Sequence, residues 1–396
     1  MLLKCYNFAF MGTKETKSKM ISKAEKIKQQ RIINILVAAG GTGGHLFPAL
    51  AVVDKLQKII GYKVIPSFVG INNKIESKVI PQLGFNFTKL PISGFTGVFS
   101  INSYLLPFKI FRSIFKCRSL IKKLNIDVCL CTGAYLSYPA GIAAYKEHIP
   151  IVLMESNVFP GKTIKLLSSK ADLIITSFKE SEKYFPSSLN HVIKYLGNPV
   201  RSELLSLPPQ ELARARFGLD PQLRTILIFG GSLGARSINN SIIKLLPIVA
   251  KSNYQVLWQI GNNFTVPKDI PSNVKVLNFI DDMASAYSAS DLVVSRSGAT
   301  TVAELCVVAK PSILVPLPSA SNNEQESNAN VLHNKGAAIM LLDYTLDEYL
   351  LDIINELIED PKKLSKMGKA AKSLAKPDAA DYAAQSIFEL VKMHLF

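Results

Sequence analysis

The sequence predicts an α/β protein with two doubly wound parallel-sheet domains that face each other across a cleft. Its 396 residues are 48% hydrophobic, and this length exceeds what one core usually organises. Short apolar runs alternate with helix-length intervals along the chain, which is typical of parallel sheets covered by helices. Two of those runs end in the glycine-rich turns Gly40–Gly44 and Gly230–Gly234, and each turn opens a helix-like segment.

The first series of strands begins with the apolar run 32–39, which is followed by the first glycine turn and a helix over 45–60. The break at 197–201 predicts the domain junction, because Pro199 cannot donate to a strand ladder and Gly197 tolerates unusual dihedral angles. The other strands predicted before this junction are 63–69, 127–131, 149–154, 172–176 and 192–196.

A second series follows the junction, and a helix-like segment at 379–395 closes the chain. We therefore predict a first domain over 31–197, a second over 198–375, and a C-terminal helix within 376–396 that packs back on the first domain or on the second. The second-domain strands are predicted at 225–229, 255–259, 274–277, 292–295 and 312–315.

Residues 1–30 precede the first convincing strand and carry seven lysines against two glutamates. We predict a disordered basic extension outside the fold. It has neither the longer apolar centre nor the small-residue cleavage site of a secretory signal. A start at Met11 or Met20 and a functional basic arm remain equally open.

The formal net charge of +16 predicts attraction to an anionic partner. Nucleic acid is not expected, because the sequence has no zinc-finger spacing, arginine-rich arm or aromatic RNA-binding signature. The five cysteines are an odd number without a Cys-x-x-Cys pair, which favours a reducing cytoplasm. No apolar run reaches the roughly 18 to 20 residues that a membrane-spanning helix needs.

Residues 104–124 predict a basic amphipathic helix. Its apolar residues recur at helical spacing, and the segment itself contains no acidic residue. Such a helix can insert its apolar face into a membrane interface while its cations contact anionic lipid. Packing of the apolar stripe on the domain is the alternative, which we prefer for the aliphatic end at Ile121 and Leu124. The predicted membrane residues are Phe108, Lys109, Phe111, Arg112, Phe115 and Lys116.

The glycine turns favour binding of phosphorylated or nucleotide-linked substrates, because bare backbone and a helix N-terminus can approach an anionic oxygen. The first turn lacks the last glycine of the dinucleotide fingerprint, so a nicotinamide enzyme is disfavoured. The chain also lacks the Gly-Lys-Ser/Thr ending of a P-loop. His45 is a candidate general base beside this turn, and the alternative is that it only caps the turn.

Two further polar segments follow predicted strands. Residues 295–304 could receive a diphosphate and a ribose, but Thr301-x-x-Glu304 is equally a capping box that closes its own helix. Residues 316–328 could bind sugar hydroxyls or form an ordinary solvated loop. No Asp-x-Asp occurs, so a two-carboxylate metal bridge to a nucleotide-sugar diphosphate has no sequence support. We expect no metal and no cofactor.

Five motifs, in order and with matching spacing over about 32–395, resemble the MurG family of peptidoglycan N-acetylglucosaminyltransferases. They are GGTGGHLFPALA (40–51), GNPVR (197–201), GGSLGAR (230–236), FIDDMASAY (279–287) and SRSGATTVAEL (295–305). The resemblance implies a GT-B fold of two Rossmann-like domains and an inverting, metal-independent transfer. N-acetylglucosamine would move from UDP to the 4-hydroxyl of the muramoyl sugar of lipid I, which gives lipid II for the cell wall.

The resemblance also implies roles for individual residues. The turn at Gly40, Gly41, Thr42, Gly43 and Gly44 would face the acceptor diphosphate, with His45 as candidate base. On the donor side, Phe279 and Ile280 would line the uracil pocket, the helix start at Ala299, Thr300 and Thr301 would meet the diphosphate, and Glu304 would hold the ribose. The remaining donor contacts implied are Asn157, Arg201, Ser232 and Gln325.

The resemblance further implies a peripheral protein on the cytoplasmic face of the bacterial inner membrane, with UDP-N-acetylglucosamine, undecaprenyl-linked lipid I, anionic lipid and other cell-wall synthesis proteins as partners. The sequence departs from the family at Met154 and Ser156, and at Asn322, Asn323 and Glu324, where the family usually has other side chains. A UDP-N-acetylglucosamine 2-epimerase and a non-catalytic partner of a cell-wall complex remain alternatives.

Overall fold

The structure, a computed structural model, describes residues 31–92, 105–231 and 233–395. The predicted extension 1–30 and the candidate donor contact Ser232 lie outside the described residues. The first domain contains strands β1 (Arg31–Ala38), β2 (Tyr62–Gly70), β3 (Asn86–Lys89), β4 (Val128–Cys131), β5 (Ile151–Glu155), β6 (Leu173–Thr176) and β7 (Ile193–Tyr195), and helices α1 (Gly43–Gln57), α2 (Glu76–Gln82), α3 (Leu106–Leu124), α4 (Ser137–Lys146) and α5 (Lys162–Ser168).

The first sheet has the order β3-β2-β1-β4-β5-β6-β7, and every pair is parallel. Its central strands are buried on both faces, as the unbroken apolar runs require. The chain reverses its direction of travel across the sheet between β1 and β4. The loops after these two strands therefore diverge and leave a crevice at the carboxyl edge.

The second domain repeats this plan with strands β8 (Arg224–Phe229), β9 (Tyr254–Gln259), β10 (Val274–Leu277), β11 (Leu292–Ser295), β12 (Ser312–Leu314) and β13 (Ala338–Met340). Its parallel order is β10-β9-β8-β11-β12-β13, so the reversal lies between β8 and β11. The helices are α6 (Gln210–Phe217), α7 (Arg236–Val249), α8 (Met283–Ala289), α9 (Ala299–Val307), α10 (Glu324–Asn334), α11 (Leu346–Glu359) and α12 (Pro361–Ser373).

The closing helix α13 (Ala379–Leu395) lies against the first domain. Ala383, Ile387 and Val391 are buried in the core formed by β1 and α1. An ion pair of 2.8 Å between Lys55 Nζ of α1 and Asp381 Oδ2 lies beside this contact. The chain thus leaves the first domain at Gly197 and returns to it after Lys376.

The two-sheet fold class is confirmed. Two short edge strands, β3 and β13, were not predicted, because they contribute few buried side chains to either sheet. The interpretation of 316–328 as a solvated loop is wrong for its second half, since α10 begins at Glu324. Asn322 and Asn323, both with φ near +50°, form the tight turn that starts it.

Candidate active site

Two helix N-termini meet where the domains face each other. Helix α1 begins in the first glycine turn, and α9 begins at Ala299 directly after β11. A Cβ built on Gly44 would lie 3.8 Å from Thr300 Oγ1, so the two starts are in near contact. Neither first turn contains an acidic residue, and neither N-cap side chain binds a helix amide. Both partial positive ends are therefore free to attract an anion.

Two polar side-chain atoms at this meeting point lack partners. The buried Thr300 Oγ1 and His45 Nδ1 make no hydrogen bond within the described part of the chain. Buried polar atoms are rarely left unpaired without a functional reason. The structure thus brings Gly44, His45 and Thr300 together, as the sequence predicts for residues on both sides of one cleft.

The ring of His45 lies against the loop after β4. A Cβ on Gly133 would be 3.1 Å from His45 Cε1 and 3.4 Å from Nδ1, and Gly133 has φ +92°. Only glycine therefore leaves room for the ring and adopts this backbone. Burial lowers the pKa of His45 below 6.5, and a main-chain hydrogen bond with Thr132 partly offsets this. The imidazole is thus held neutral, as a proton acceptor must be.

Glu76, which the sequence patterns did not reveal, fixes the first glycine turn. Its fully buried carboxylate accepts hydrogen bonds from Gly41 N, at 2.9 Å, and from Ile71 N, at 3.0 Å. A Cβ on Gly40 would come within 2.4 Å of this carboxyl group, so glycine is required there for close approach. The Gly41 amide is consequently bound to Glu76 and does not point to the cleft, which leaves Gly43 and Gly44 as the accessible amides.

The half-buried Arg201 and the buried Glu304 form an ion pair at the donor side. Arg201 Nε and Nη2 donate to Glu304 Oε1 at 3.0 and 2.9 Å, and Tyr287 Oη donates to Oε2 at 2.9 Å. The capping-box interpretation of Glu304 is therefore wrong, since the N-cap of α9 is Gly298 and Glu304 binds Arg201 and Tyr287 instead. Burial raises the pKa of Glu304, and Arg201 opposes that rise.

The second glycine turn lies against the segment that follows β10. Gln259 joins them, because its Nε2 donates to Gly231 O at 2.9 Å and its Oε1 accepts from Ile280 N at 2.8 Å. Ile280 is buried, whereas Phe279 is 45% exposed. The exposed ring beside a fixed backbone is a surface on which a flat base can stack.

Asn157, after β5, contacts the second domain directly. Its Oδ1 accepts from Asn328 Nδ2 at 3.0 Å, and its Nδ2 donates to Glu324 Oε2 at 3.4 Å. Asn328 is fully buried, accepts from Val158 N at 3.0 Å and donates to Ser297 O at 3.2 Å. Asn328 therefore joins the domains, although sequence reasoning noted it only as part of a polar stretch.

Gln325, another predicted site residue, makes its hydrogen bonds to the loops next to α10. Its Oε1 accepts from Leu317 N at 3.0 Å, and its carbonyl accepts from Ser297 Oγ at 2.8 Å. These bonds hold the start of α10 beside the loop after β11. The side-chain amide Nε2 has no bond in the described residues, so this donor is available to a ligand.

The buried carboxyl group of Glu155 should make the stability of the fold depend on pH. Burial raises its pKa to about 7, against hydrogen bonds from Asn157 N and Gly161 N, and the facing carboxylate of Glu324 adds to the rise. The unfolded chain releases this proton near 4.5, so the folded state binds more protons between those values. Stability should therefore fall by about 3 kcal/mol as pH rises from 4.5 through 7.

Urea unfolding at half-unit pH steps measures this slope. In Glu155→Gln the fall between pH 5 and 7.5 should become clearly smaller, whatever the variant's stability at a single pH. An unchanged slope in Glu155→Gln would assign the dependence to another group.

Helix α3 carries the predicted membrane residues, away from the cleft. Phe108, Phe111 and Phe115 are 64%, 58% and 51% exposed. Ile121 is buried in the domain core, so the aliphatic end packs internally as expected. The segment has no acidic residue of its own, but the fold brings one to it: Glu147, directly after α4, pairs with Arg118 at 2.5 Å and with Lys122 at 3.3 Å. No acidic partner is seen for Arg112 or Lys116 in the described chain, and Lys116 Nζ donates to Lys89 O at 2.7 Å.

Comparison with known proteins assigns the family. Two domain models match, "Glycosyltransferase family 28 N-terminal domain" over residues 35–176 and "Glycosyltransferase family 28 C-terminal domain" over 225–382. A Bacteroides fragilis UDP-N-acetylglucosamine--N-acetylmuramyl-(pentapeptide) pyrophosphoryl-undecaprenol N-acetylglucosamine transferase is 36% identical over 94% of this chain and 100% of its own length. The chain belongs to the MurG family.

The crystal structure of Acinetobacter baumannii MurG superposes with a TM-score of 0.71 at 29% identity, over 90% of this chain and 99% of that one. A UDP-GlcNAc 2-epimerase from Neisseria meningitidis reaches 0.63 at 15% identity, over 90% and 100%, which shows a shared fold alone. Within the described residues of this MurG family member, no helix is long and apolar enough to cross a membrane, and no cluster of three potential metal-binding side chains occurs.

Proposed function

We propose that this protein transfers N-acetylglucosamine from UDP-N-acetylglucosamine to the muramoyl 4-hydroxyl of lipid I, which forms lipid II for peptidoglycan. The observation that carries the proposal is the meeting of two uncompensated helix N-termini at Gly44 and Thr300. Donor and acceptor each contain a diphosphate, and each N-terminus offers amides to one of them. The 36% identical relative is named for this transfer.

The donor binds to the second domain in this proposal. Phe279 and Ile280 contact the uracil, and Glu304 accepts a ribose hydroxyl on Oε2, which accepts one hydrogen bond from Tyr287 and has a second lone pair. Amides at Ala299 to Thr301 and the Thr300 hydroxyl bind the diphosphate, with Arg201 nearby as a fixed cation. Gln325 and Asn157 contact the sugar. Ser232 is proposed to contact the nucleotide from the second glycine turn.

The transfer requires negative charge to build up on the departing UDP. Preorganised amides and a cation stabilise that charge most in the transition state, and this lowers the barrier. His45, on the first domain and so opposite the donor, accepts the proton of the attacking hydroxyl. The acceptor diphosphate lies at Gly43 and Gly44, while Gly40, Gly41 and Thr42 shape the turn around Glu76.

A direct assay tests the function. Purified protein, UDP-N-acetylglucosamine and a lipid I analogue should give the disaccharide product and UDP, with and without EDTA. Epimerised sugar in the absence of acceptor would instead support a 2-epimerase. Donor binding without turnover would support a non-catalytic partner of cell-wall enzymes.

The exposed start of α3 is proposed to dock on the anionic surface of the inner membrane, on its cytoplasmic face, as a peripheral contact. The exposed side chains of Phe108, Phe111 and Phe115 alternate along the helix with Lys109, Arg112 and Lys116. The rings of Phe111 and Phe115 contact each other in a tilted arrangement, with centroids 4.6 Å apart. Exposed aromatic residues enter the interface while cations meet anionic lipid. The face lies on the domain that binds the lipid-linked acceptor in this proposal.

The double variant Lys109→Glu with Arg112→Glu should weaken binding to vesicles containing anionic lipid by about 30-fold or more, since each cation contributes roughly 1 kcal/mol near the surface. Co-sedimentation with anionic and with neutral vesicles measures it. The matched control is Lys251→Glu with Lys275→Glu, two exposed cations on the second domain, which should bind like the wild type. Equal partitioning of both double variants would refute this docking face.

A further inference from the structure

A cavity lies at the junction of the two domains. It has a volume of about 240 Å³. The first domain contributes Phe178 and the linker residues Gly197 and Asn198, and the second contributes Val302 and Cys306 of α9. This cavity is separate from the proposed substrate site, because those residues of α9 follow the turn that faces Gly44.

The chemistry of its lining defines an amphiphilic ligand. The walls are largely aliphatic, with Val302, Val307 and Leu332 buried around the space. Asn198 is 3% exposed and its Nδ2 has no hydrogen-bond partner among the described residues. A buried donor without an acceptor costs free energy until an oxygen atom is supplied. An apolar ligand that brings an oxygen therefore suits this lining.

The rim of the cavity is cationic. Lys179, Lys335 and Lys376 are exposed there against the single carboxylate of Glu180. Lys376 Nζ lies 4.6 Å from the centroid of the Tyr195 ring, and no ion pair with a described carboxylate engages any of the three lysines. An anionic head group is thus favoured at the rim, beyond an apolar body in the interior.

We propose that this hinge cavity binds a small amphiphilic anion, with an aliphatic or aromatic body of about eight carbons and a carboxylate head. Its walls come from both domains, so an occupant stabilises the relative placement seen here. Helix α9 couples ligand binding in the cavity to the cleft, because its first turn carries Thr300 and its next turn lines the cavity. The ligand therefore slows any step that needs the domains to separate.

Octanoate is the probe, and isothermal titration on the full chain is the primary measurement. We expect saturable binding at sub-millimolar octanoate, with octanol and acetate about tenfold weaker or worse, because each lacks one half of the chemistry. Ala303→Phe fills the cavity, and Lys335→Glu with Lys376→Glu reverses its rim. Each of these two variants should lower the affinity for octanoate by about tenfold or more, whereas the exposed control Lys251→Glu should leave it unchanged.

A second measurement does not depend on any variant folding. Cys306 is 4% exposed, lines the cavity and has a pKa raised to about 12 by burial, so its alkylation by a maleimide is slow and passes through this space. Octanoate should slow it further in the wild type, as read by peptide mass spectrometry. Absent saturable binding, or unchanged Cys306 alkylation at saturating octanoate, overturns the site.

A third experiment, on enzyme activity, rests on the proposed glycosyl transfer, whereas the titration and the alkylation experiment do not. Octanoate should lower kcat with inhibition that excess UDP-N-acetylglucosamine does not relieve. Competition with the donor would place octanoate in the cleft and contradict the hinge site. If the protein shows no transfer at all, the titration and the Cys306 protection still decide whether the cavity binds.

Discussion

His45→Ala should lower kcat by about 10²- to 10⁴-fold and leave the affinity for UDP-N-acetylglucosamine near that of the wild type. The ring belongs to the first domain and touches Gly133, whereas the proposed donor contacts belong mostly to the second. Losing it removes a proton acceptor and no nucleotide contact. Initial rates against each substrate, with donor binding measured separately by titration, give the two quantities.

The pH profile supplies a second readout for His45. Its pKa lies below 6.5, so the neutral, proton-accepting form persists into mildly acidic solution. The acidic limb of kcat/KM should therefore fall below pH 6.5 in the wild type and be lost in His45→Ala. His191→Ala, an exposed histidine of the same domain, is the matched control. Turnover close to the wild-type value in His45→Ala would remove the ring from the mechanism.

Glu76→Gln should disrupt the first glycine turn. The carboxylate accepts one amide on each oxygen, and the carboxamide would turn an NH₂ group toward either Gly41 N or Ile71 N. One buried amide would be left unpaired, which costs about 1–3 kcal/mol of folding free energy. Glu76→Ala leaves both unpaired and should cost about twice as much.

The functional effect of Glu76→Gln should fall on the acceptor. A shift of about 1 Å in a positioning element lowers catalysis by about 10²-fold, and this turn is the proposed acceptor diphosphate site. We expect kcat/KM for the lipid I analogue to fall and UDP binding to stay unchanged, measured well below the unfolding temperature. Glu359→Gln, exposed on α11, is the control. Equal losses for donor and acceptor would indicate general destabilisation and contradict a role specific to the turn.

The sheet strands are readable from the sequence because central parallel strands are buried on both faces. The central strand Leu292–Ser295 matches its predicted range, and Ile151–Glu155 begins two residues late. Val274–Leu277 lies at a sheet edge and also matches, because it keeps three apolar residues out of four. The edge strands Asn86–Lys89 and Ala338–Met340 were missed, since exposure on one side removes the apolar run that marks a strand. The closing helix Ala379–Leu395 matches its predicted bounds because its small and apolar residues recur at helical spacing.

The candidate site was only partly readable. Glycine turns and the helix starts at Gly43 and Ala299 are local features, so spacing along the chain reveals them. The partners that fix them are not local. Glu76 binds an amide 35 residues away, and Asn328 binds a side chain 171 residues away. Thr301-x-x-Glu304 has capping-box spacing, yet tertiary bonds from Arg201 and Tyr287 determine the carboxylate's position.

The packing of α13 on the first domain means that the polypeptide passes between the halves twice. The passages are adjacent, since a Cβ on Gly197 would come within 2.4 Å of Lys376 Cβ. Two neighbouring tethers resist twisting of one half against the other and favour rocking about the line through them. Removal of 379–395 would leave a single tether, expose the apolar face of α1 and free the halves to swivel.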